Sequence, residues 1–137
     1  MAKKLVKDWL KSAYSDILLV KKIINDELLT HLAAFHSQQA IEKAIKALML
    51  YNGDETPKIH KLQTLIDKVR FDLTDKEDEL LQLLDKLYID ARYPGDLGLL
   101  PYGKPTLEDV MEFYEFALSF FRKVCKILNV SEEDLRM

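Results

Sequence analysis

The segment from about residue 32 to residue 52 is apolar around nearly the whole circumference of a predicted helix. Its apolar side chains cover a wide arc and include Ala34, Ile41, Ala44, Ile45, Leu48 and Met49. A helix that is apolar nearly all round belongs at the centre of a helical bundle. A narrow polar stripe remains, formed by Gln39, Glu42, Lys43 and Lys46. Because Leu32 and Phe35 lie at one end of this stripe and Leu50 at the other, we expect it to face a groove or a second chain.

Four further helical segments surround this one in the sequence, and no strand-like alternation of useful length is present. The apolar spacing predicts helices over about residues 4–28, 60–70, 74–91 and 106–129. Thr74 and Glu77 have the spacing of a capping box, and Thr106 is a suitable N-cap for the last helix. Residues 93–105 hold three prolines and three glycines, which forbid regular structure. We therefore predict one domain, residues 1–137: an all-α antiparallel up-and-down bundle of about five helices with one long Pro/Gly loop before the last helix.

Composition limits the classes to which the chain can belong. A length of 137 residues is that of one ordinary domain, and the single cysteine, Cys125, excludes an intramolecular disulfide. No apolar stretch approaches the ~18 residues that span a bilayer, and the first residues do not have the pattern of a secretion signal. We therefore expect a cytoplasmic protein. Residues 1–70 carry 12 Lys/Arg and 8 Asp/Glu, whereas residues 71–137 carry 8 and 15; the halves are oppositely charged, although an ordinary mixed surface would also give this distribution.

The last predicted helix is apolar on two sides. A first strip contains Val110, Tyr114, Ala117, Phe121 and Val124, and a second strip contains Phe113, Phe116 and Phe120. The second strip has no obvious partner within a small bundle. It predicts a self-association surface, and hence a homodimer.

The polar stripe of the second helix has two interpretations. Glu42 and Lys46 are four residues apart, a spacing that gives an ordinary stabilising pair on a helix surface. Alternatively, Lys43 and Lys46 could bind phosphate while Gln39 and Glu42 form hydrogen bonds with a base or ribose. Asp16 lies at the border of the first helix's apolar stripe, and a lysine of the second helix is a plausible partner for it. If both lysine charges are offset internally, the stripe is a structural network; if one is left over, an anion should bind.

Other candidate residues lie beyond the second helix. Arg92 ends the fourth helix, where the helix dipole alone would favour a cation, but with Tyr88 and Tyr93 it could also hold a phosphate or stack on a base. His60 could transfer protons, although a histidine near a helix start is more often structural. His31 and His36 are five residues apart on one helix and cannot share a metal ion. We find no metal-ligand spacing, no glycine-rich phosphate loop and no other cofactor motif.

Four groups of these residues resemble small stand-alone prokaryotic proteins of the HEPN (higher eukaryotes and prokaryotes nucleotide-binding) family. The groups read Trp9 with Ala13-x-x-Asp16, Phe35-x-x-Gln38-Gln39-Ala40-x-Glu42-Lys43-x-x-Lys46-Ala47, Thr56-Pro57-x-x-His60-x-Leu62 and Tyr88-x-x-Ala91-Arg92-Tyr93-Pro94. The resemblance runs from about residue 8 to residue 125. It implies a helical bundle that usually dimerises, and a minimal nucleotidyltransferase as partner, as in toxin–antitoxin pairs.

The sequence departs from the family in one respect. Many HEPN domains are metal-independent ribonucleases with an arginine followed four to six residues later by a histidine. Here the histidines are at positions 31, 36 and 60, and no histidine follows any of the four arginines at that spacing. Arg92 stands where the arginine is expected, but positions 97–99 read Leu-Gly-Leu. The usual ribonuclease mechanism is therefore not expected, and no catalytic residue is assigned.

These observations lead to one favoured hypothesis and two alternatives. The favoured one is a non-catalytic, homodimeric HEPN protein that binds a nucleotide or a nucleotidyltransferase partner, without a metal or other cofactor. Its predicted ligand-binding residues are Asp16, Gln39, Glu42, Lys43, Lys46, His60, Arg92 and Tyr93. The first alternative is a divergent ribonuclease toxin that uses Arg92 and His60. The second is a purely structural helical dimer without a ligand.

Overall fold

The computed structural model describes residues 2–90 and 104–136, with the side chains of Ala2, Ile89 and Asp90 excepted. It contains α1 (Ala2–Ile23), α2 (Thr30–Tyr51), α3 (Leu62–Val69), α4 (Asp75–Asp90), α5 (Leu107–Leu128) and α6 (Glu132–Leu135). A single 3-10 turn, Glu27–Leu29, connects α1 to α2. Within these ranges there is no strand, so the predicted all-α class is confirmed. None of the described helices is long and apolar enough to cross a bilayer.

The α2 helix is the central element of the bundle, as its apolar circumference predicts. Helices α1, α3, α4 and α5 all pack against it. Its buried side chains cover most of its circumference and run from Thr30 to Met49, and one face with Leu32, Gln39 and Lys43 stays partly exposed. It ends where the sequence suggests, at Asn52 followed by Gly53, whose φ of +87° is a left-handed conformation that glycine adopts without strain.

The second apolar strip of α5 is part of the core, which corrects the prediction of a free surface. Phe113, Phe116 and Phe120 are at most 4% exposed within the single chain. The ring of Phe120 lies 4.6 Å from that of Phe71, in the link between α3 and α4. The strip is therefore covered by this link and by neighbouring core residues. Their burial leaves these three phenylalanines almost no accessible surface with which to contact a second copy.

Most helix ends follow local capping signals, and the exceptions have identifiable causes. Thr74 and Glu77 form the predicted capping box, and Thr106 caps α5. The α1 helix ends at Ile23, five residues earlier than predicted, because Asp26 caps the 3-10 turn through Leu28 N and starts a new direction. The short α6 helix, capped by Ser131, was not predicted. The predicted loop over 93–105 lies mostly outside the described residues.

The start of α3 is fixed by a side chain from another helix. Asp85 of α4 is buried, and its two carboxylate oxygens accept the backbone N–H groups of Leu62 (2.6 Å) and Gln63 (3.0 Å). These are orphan donors at a helix N-terminus, where a carboxylate is stabilising. Burial nevertheless raises the pKa of Asp85 above its ordinary value, against the lowering effect of the two hydrogen bonds. The helix therefore starts two residues after the predicted His60, which is left in the preceding extended segment.

Candidate functional site

Asp16 of α1 is the centre of the first of two carboxylate clusters. It is buried against α2, and its two oxygens contact different side chains of that helix. Oδ2 accepts a hydrogen bond from Lys43 Nζ at 2.8 Å, and Oδ1 lies 2.8 Å from His36 Nδ1. The expected lysine partner of Asp16 is therefore Lys43. The charge of this lysine is offset by a carboxylate of the same chain.

Glu42 of α2 is the centre of the second cluster. Its Oε2 accepts a hydrogen bond from Lys46 Nζ at 3.0 Å, and both its oxygens lie 3.2 Å from His60 Nδ1. The side chains of Glu42 and Lys46 are each only 5% exposed, whereas that of His60 is 45% exposed. Lys46 Nζ also lies 5.6 Å from the centroid of the Trp9 ring, a cation–π distance. Glu42 therefore connects a buried cation to a histidine at the surface.

Two glutamines hold the His60 segment against α2. Gln38 is fully buried and donates a hydrogen bond to the backbone oxygen of His60 at 2.9 Å. Gln39 is partly exposed and donates to Gln38 Oε1 at 2.7 Å. Because Asp85 fixes Leu62 and Gln63, the backbone is held at His60 and again two residues later.

Aromatic rings form a continuous row beside these clusters. The ring of Phe35 is stacked on that of Tyr88, with centroids 5.7 Å apart and planes 24° apart. Tyr88 in turn lies 5.7 Å from the ring of His60, and Phe35 lies edge-on to His36 at 5.2 Å. These residues are all partly or substantially exposed. The row brings α2, α4 and the His60 segment together at one surface, which we call the ring face: Phe35, His36, His60 and Tyr88.

The charges of the site are balanced internally. Asp16 offsets Lys43, and Glu42 offsets Lys46, so the four groups carry no net charge when the histidines are neutral. Lys46 is also too deeply buried to meet a phosphate in solution. Of the two alternatives for the polar stripe of α2, this is the one in which both lysine charges are offset internally and no anion is required. The groups that remain accessible to a ligand are the ring face, the amide of Gln39 and the part-exposed Lys43.

Six of the eight predicted ligand-binding residues lie in the two carboxylate clusters beside the ring face. They are Asp16, Gln39, Glu42, Lys43, Lys46 and His60. The other two, Arg92 and Tyr93, lie outside the described residues. In the part of the chain that is described, no group of histidine, cysteine or carboxylate side chains could hold a metal ion.

Phe35, His36 and Gln38 are members of the site that the sequence interpretation did not assign as ligand-binding residues. A signal for His36 was available, since positions 36, 39, 43 and 46 are spaced by three and four residues and share one helical face. Gln38 gave no such signal. It lies on the buried side of α2, and its role depends on a backbone oxygen 22 residues away.

Comparison with known proteins identifies the fold and its relatives. A model of the HEPN domain matches residues 6–128. TT1696 from Thermus thermophilus has a similar crystal structure, with a TM-score of 0.70 and 26% sequence identity over 88% of this chain and 96% of that chain. The crystal structure of ST0689, an archaeal HEPN homologue, has a TM-score of 0.64 and 27% identity over 87% of this chain and 93% of that one. No curated protein matches the sequence. Both structural similarities extend over nearly the whole of each chain.

Proposed function

The chain belongs to the HEPN domain family, and we propose that it is a non-catalytic member that binds a nucleotide at the ring face. The observation that carries this proposal is the row of rings formed by Phe35, Tyr88 and His60 beside a charge-balanced polar network. Aromatic and histidine rings stack on nucleobases, and such stacking contributes about 1–3 kcal/mol per base. The family resemblance points to the same class of ligand.

The internal ion pairs change the expected mode of binding. Because Asp16 and Glu42 already offset the two lysines, the network offers a phosphate little net attraction. We therefore propose that the base makes the main contacts, by stacking on the ring face and by hydrogen bonds with Gln39. The phosphates would remain close to solvent, near the part-exposed Lys43. The affinity should then depend weakly on the number of phosphates and on salt.

A thermal-shift series tests this mode of binding. A nucleoside, its monophosphate and its triphosphate should stabilise the protein to similar extents, at low and at high salt. A ligand at 100 times its dissociation constant adds about 2.7 kcal/mol to the free energy of unfolding. His60→Ala and Gln39→Ala should each reduce the shift, whereas the exposed Gln82→Ala on α4 is the matched control. No shift with any nucleotide, together with unchanged folding, would favour the purely structural alternative.

We also propose the assembly that the family resemblance implies: a homodimer paired with a minimal nucleotidyltransferase in a toxin–antitoxin-like system. A nucleotidyltransferase binds a nucleotide of its own, so this partner enzyme could contact the ring face directly in place of a free nucleotide. Light scattering should give a mass about twice the 15.9 kDa of one chain. Co-expression with the neighbouring gene product tests the second part, and a His60→Ala variant shows whether the ring face is the contact.

One observation favours a second candidate function, a divergent metal-independent ribonuclease. Glu42 contacts Nδ1 of the half-exposed His60, and a carboxylate in this position orients a histidine for proton transfer. Among the described residues, no hydrogen bond uses the other ring nitrogen of His60, so it is free to reach a ribose hydroxyl. Arg92 would then stabilise the phosphate. The missing arginine–histidine spacing is the reason that this candidate comes second.

A further inference from the structure

A cavity of about 650 Å³ lies at the end of the bundle where α1 begins and α2 ends. The turn between α5 and α6 closes its third side. None of the residues that line it belongs to the ring face or to either carboxylate cluster. Its volume is within the range of about 300–1,000 Å³ that is usual for small-molecule sites. The cavity is therefore large enough for a ligand of its own.

The wall of this cavity is largely apolar and comes from four elements of the fold. Val6 and Leu128 are buried residues of α1 and α5, and Val130 follows α5. Tyr51, the last residue of α2, also lines the cavity although its ring is largely exposed to solvent. An exposed aromatic ring beside buried aliphatic groups gives an apolar ligand a surface that it can cover. Burial of this area is the driving force for binding an alkyl or aryl group.

The rim of the cavity carries excess positive charge. Lys3, Lys4 and Lys7 line it, against the single carboxylate of Asp134. No ion pair within 4.0 Å joins any of these lysines to a carboxylate in residues 2–90 and 104–136. The Asp134 carboxylate accepts the backbone N–H of Ser131 at 3.1 Å in the capping box of α6, and the positive charge of Lys7 helps to lower its pKa. Asp134 therefore offsets one of the three lysine charges and leaves two.

The position of the three lysines on α1 adds to the excess of positive charge at the rim. They lie in the first two turns of α1, which has no acidic residue in its first turn. The N-terminus of a helix carries a partial positive charge, so cations there are unfavourable and an anion is favourable. An anion at the rim would offset both the lysines and the helix dipole.

We propose that this cavity binds a small amphipathic anion. Its alkyl or aryl part would occupy the space between Val6, Tyr51 and Leu128, and its carboxylate or phosphate group would lie among the three lysines. The site is separate from the nucleotide site proposed above and independent of it.

Isothermal titration with amphiphiles of matched chain length tests the proposal. Decanoate and decyl phosphate, below their micelle concentrations, should bind saturably with one molecule per chain, and decyltrimethylammonium should not. The combined Lys3→Glu and Lys7→Glu variant should weaken decanoate binding about tenfold, or about 1.4 kcal/mol. Acidic residues suit a helix N-terminus, so this variant should stay folded. The matched control is Lys21→Glu with Lys22→Glu, at the other end of α1.

The outcomes separate this site from the ring face. Tyr51→Ser should weaken binding of both anions, and Gln39→Ala should leave it unchanged. Stronger binding of decanoate than of decyl phosphate would assign a carboxylate ligand, and the reverse a phosphate. Equal binding of the cationic amphiphile, or unchanged affinity in the Lys3/Lys7 variant, would overturn the proposal. So would an absence of saturable binding by either anion.

Discussion

Lys46 Nζ lies 3.0 Å from Glu42 Oε2, and the two side chains are equally buried, each 5% exposed. The spacing of these residues in the sequence is that of a surface pair, which would contribute only a few tenths of a kcal/mol. Burial changes the consequence of breaking the pair, because it would leave an uncompensated charge away from water. The same pair also holds the carboxylate that contacts His60.

Removal of Lys46 should therefore destabilise the protein strongly. We expect Lys46→Met to lower the free energy of unfolding by about 3–5 kcal/mol, the usual effect of breaking a buried ion pair. Lys43→Met removes a lysine whose side chain is 21% exposed and leaves the buried Asp16 with His36 as its partner. We therefore expect a smaller loss, of about 1–3 kcal/mol. Urea unfolding followed by circular dichroism measures both.

A double-mutant cycle provides the control for this prediction. Glu42→Gln with Lys46→Met removes both charges, so it should cost less than the sum of the two single changes. Equal losses for Lys46→Met and Lys43→Met would contradict the assigned difference in burial.

The phenylalanines of α5 give a second prediction. Phe120 is fully buried and packs on Phe71 within the chain, so Phe120→Ala should cost about 3–5 kcal/mol. Met111→Ala, on the exposed side of the same helix, should change stability by less than about 0.5 kcal/mol. Thermal and urea unfolding give both values. If the Phe120→Ala variant kept its stability but changed from a dimer to a monomer, the second apolar strip of α5 would be the dimer interface after all.

The central position of α2 could be predicted from the sequence because its wide apolar arc leaves only a narrow polar stripe toward solvent. The caps at Thr74 and Thr106 could be predicted because each depends on residues three positions apart. The burial of Phe120 could not be predicted, because its partner Phe71 lies in a short link between helices that has no apolar periodicity. The start of α3 was misplaced for a similar reason, because its cap is Asp85 of a different helix.

The candidate site was predictable to the extent that its residues share one helical face. Gln39, Glu42, Lys43 and Lys46 follow from their spacing on α2, and Asp16 from its place at the border of an apolar stripe. Which carboxylate meets which lysine depends on how far α1 is shifted along α2. Helical spacing alone cannot fix that shift, so the sequence left both the structural and the ligand-binding interpretations open.

His31, at the start of α2, predicts a loss of stability in acid. Burial, and then the charge of Lys104, lower the pKa of His31 below its ordinary value, so the folded state favours the neutral ring. Its contribution to stability is therefore complete above the unfolded pKa of about 6.5, and it is lost as the pH falls through the lower folded value. Urea midpoints measured from neutral to mildly acidic pH should fall accordingly.

His31→Gln isolates this contribution, because glutamine does not titrate. The difference in stability between the wild type and this variant should be constant above pH about 6.5 and should shift against the wild type below it. A difference that is independent of pH would contradict the lowered pKa of His31. If the wild type instead became more stable relative to His31→Gln in acid, the folded protein would favour the charged ring of His31.

Ribonuclease activity is expected to be absent, because no histidine follows Arg92 at the family's spacing. The divergent alternative needs His60, whose Nδ1 is held by Glu42 and whose ring lies 5.7 Å from that of Tyr88, four residues before Arg92. Wild type, His60→Ala and Arg92→Ala, purified identically, should leave a structured RNA equally intact in the presence of a chelator. Cleavage by the wild type that both variants lose would establish the alternative, since general acid–base catalysis typically contributes about 10²–10⁴-fold to a rate. Cleavage that persists equally in both variants would come from neither residue, and the ring face would keep its proposed binding role.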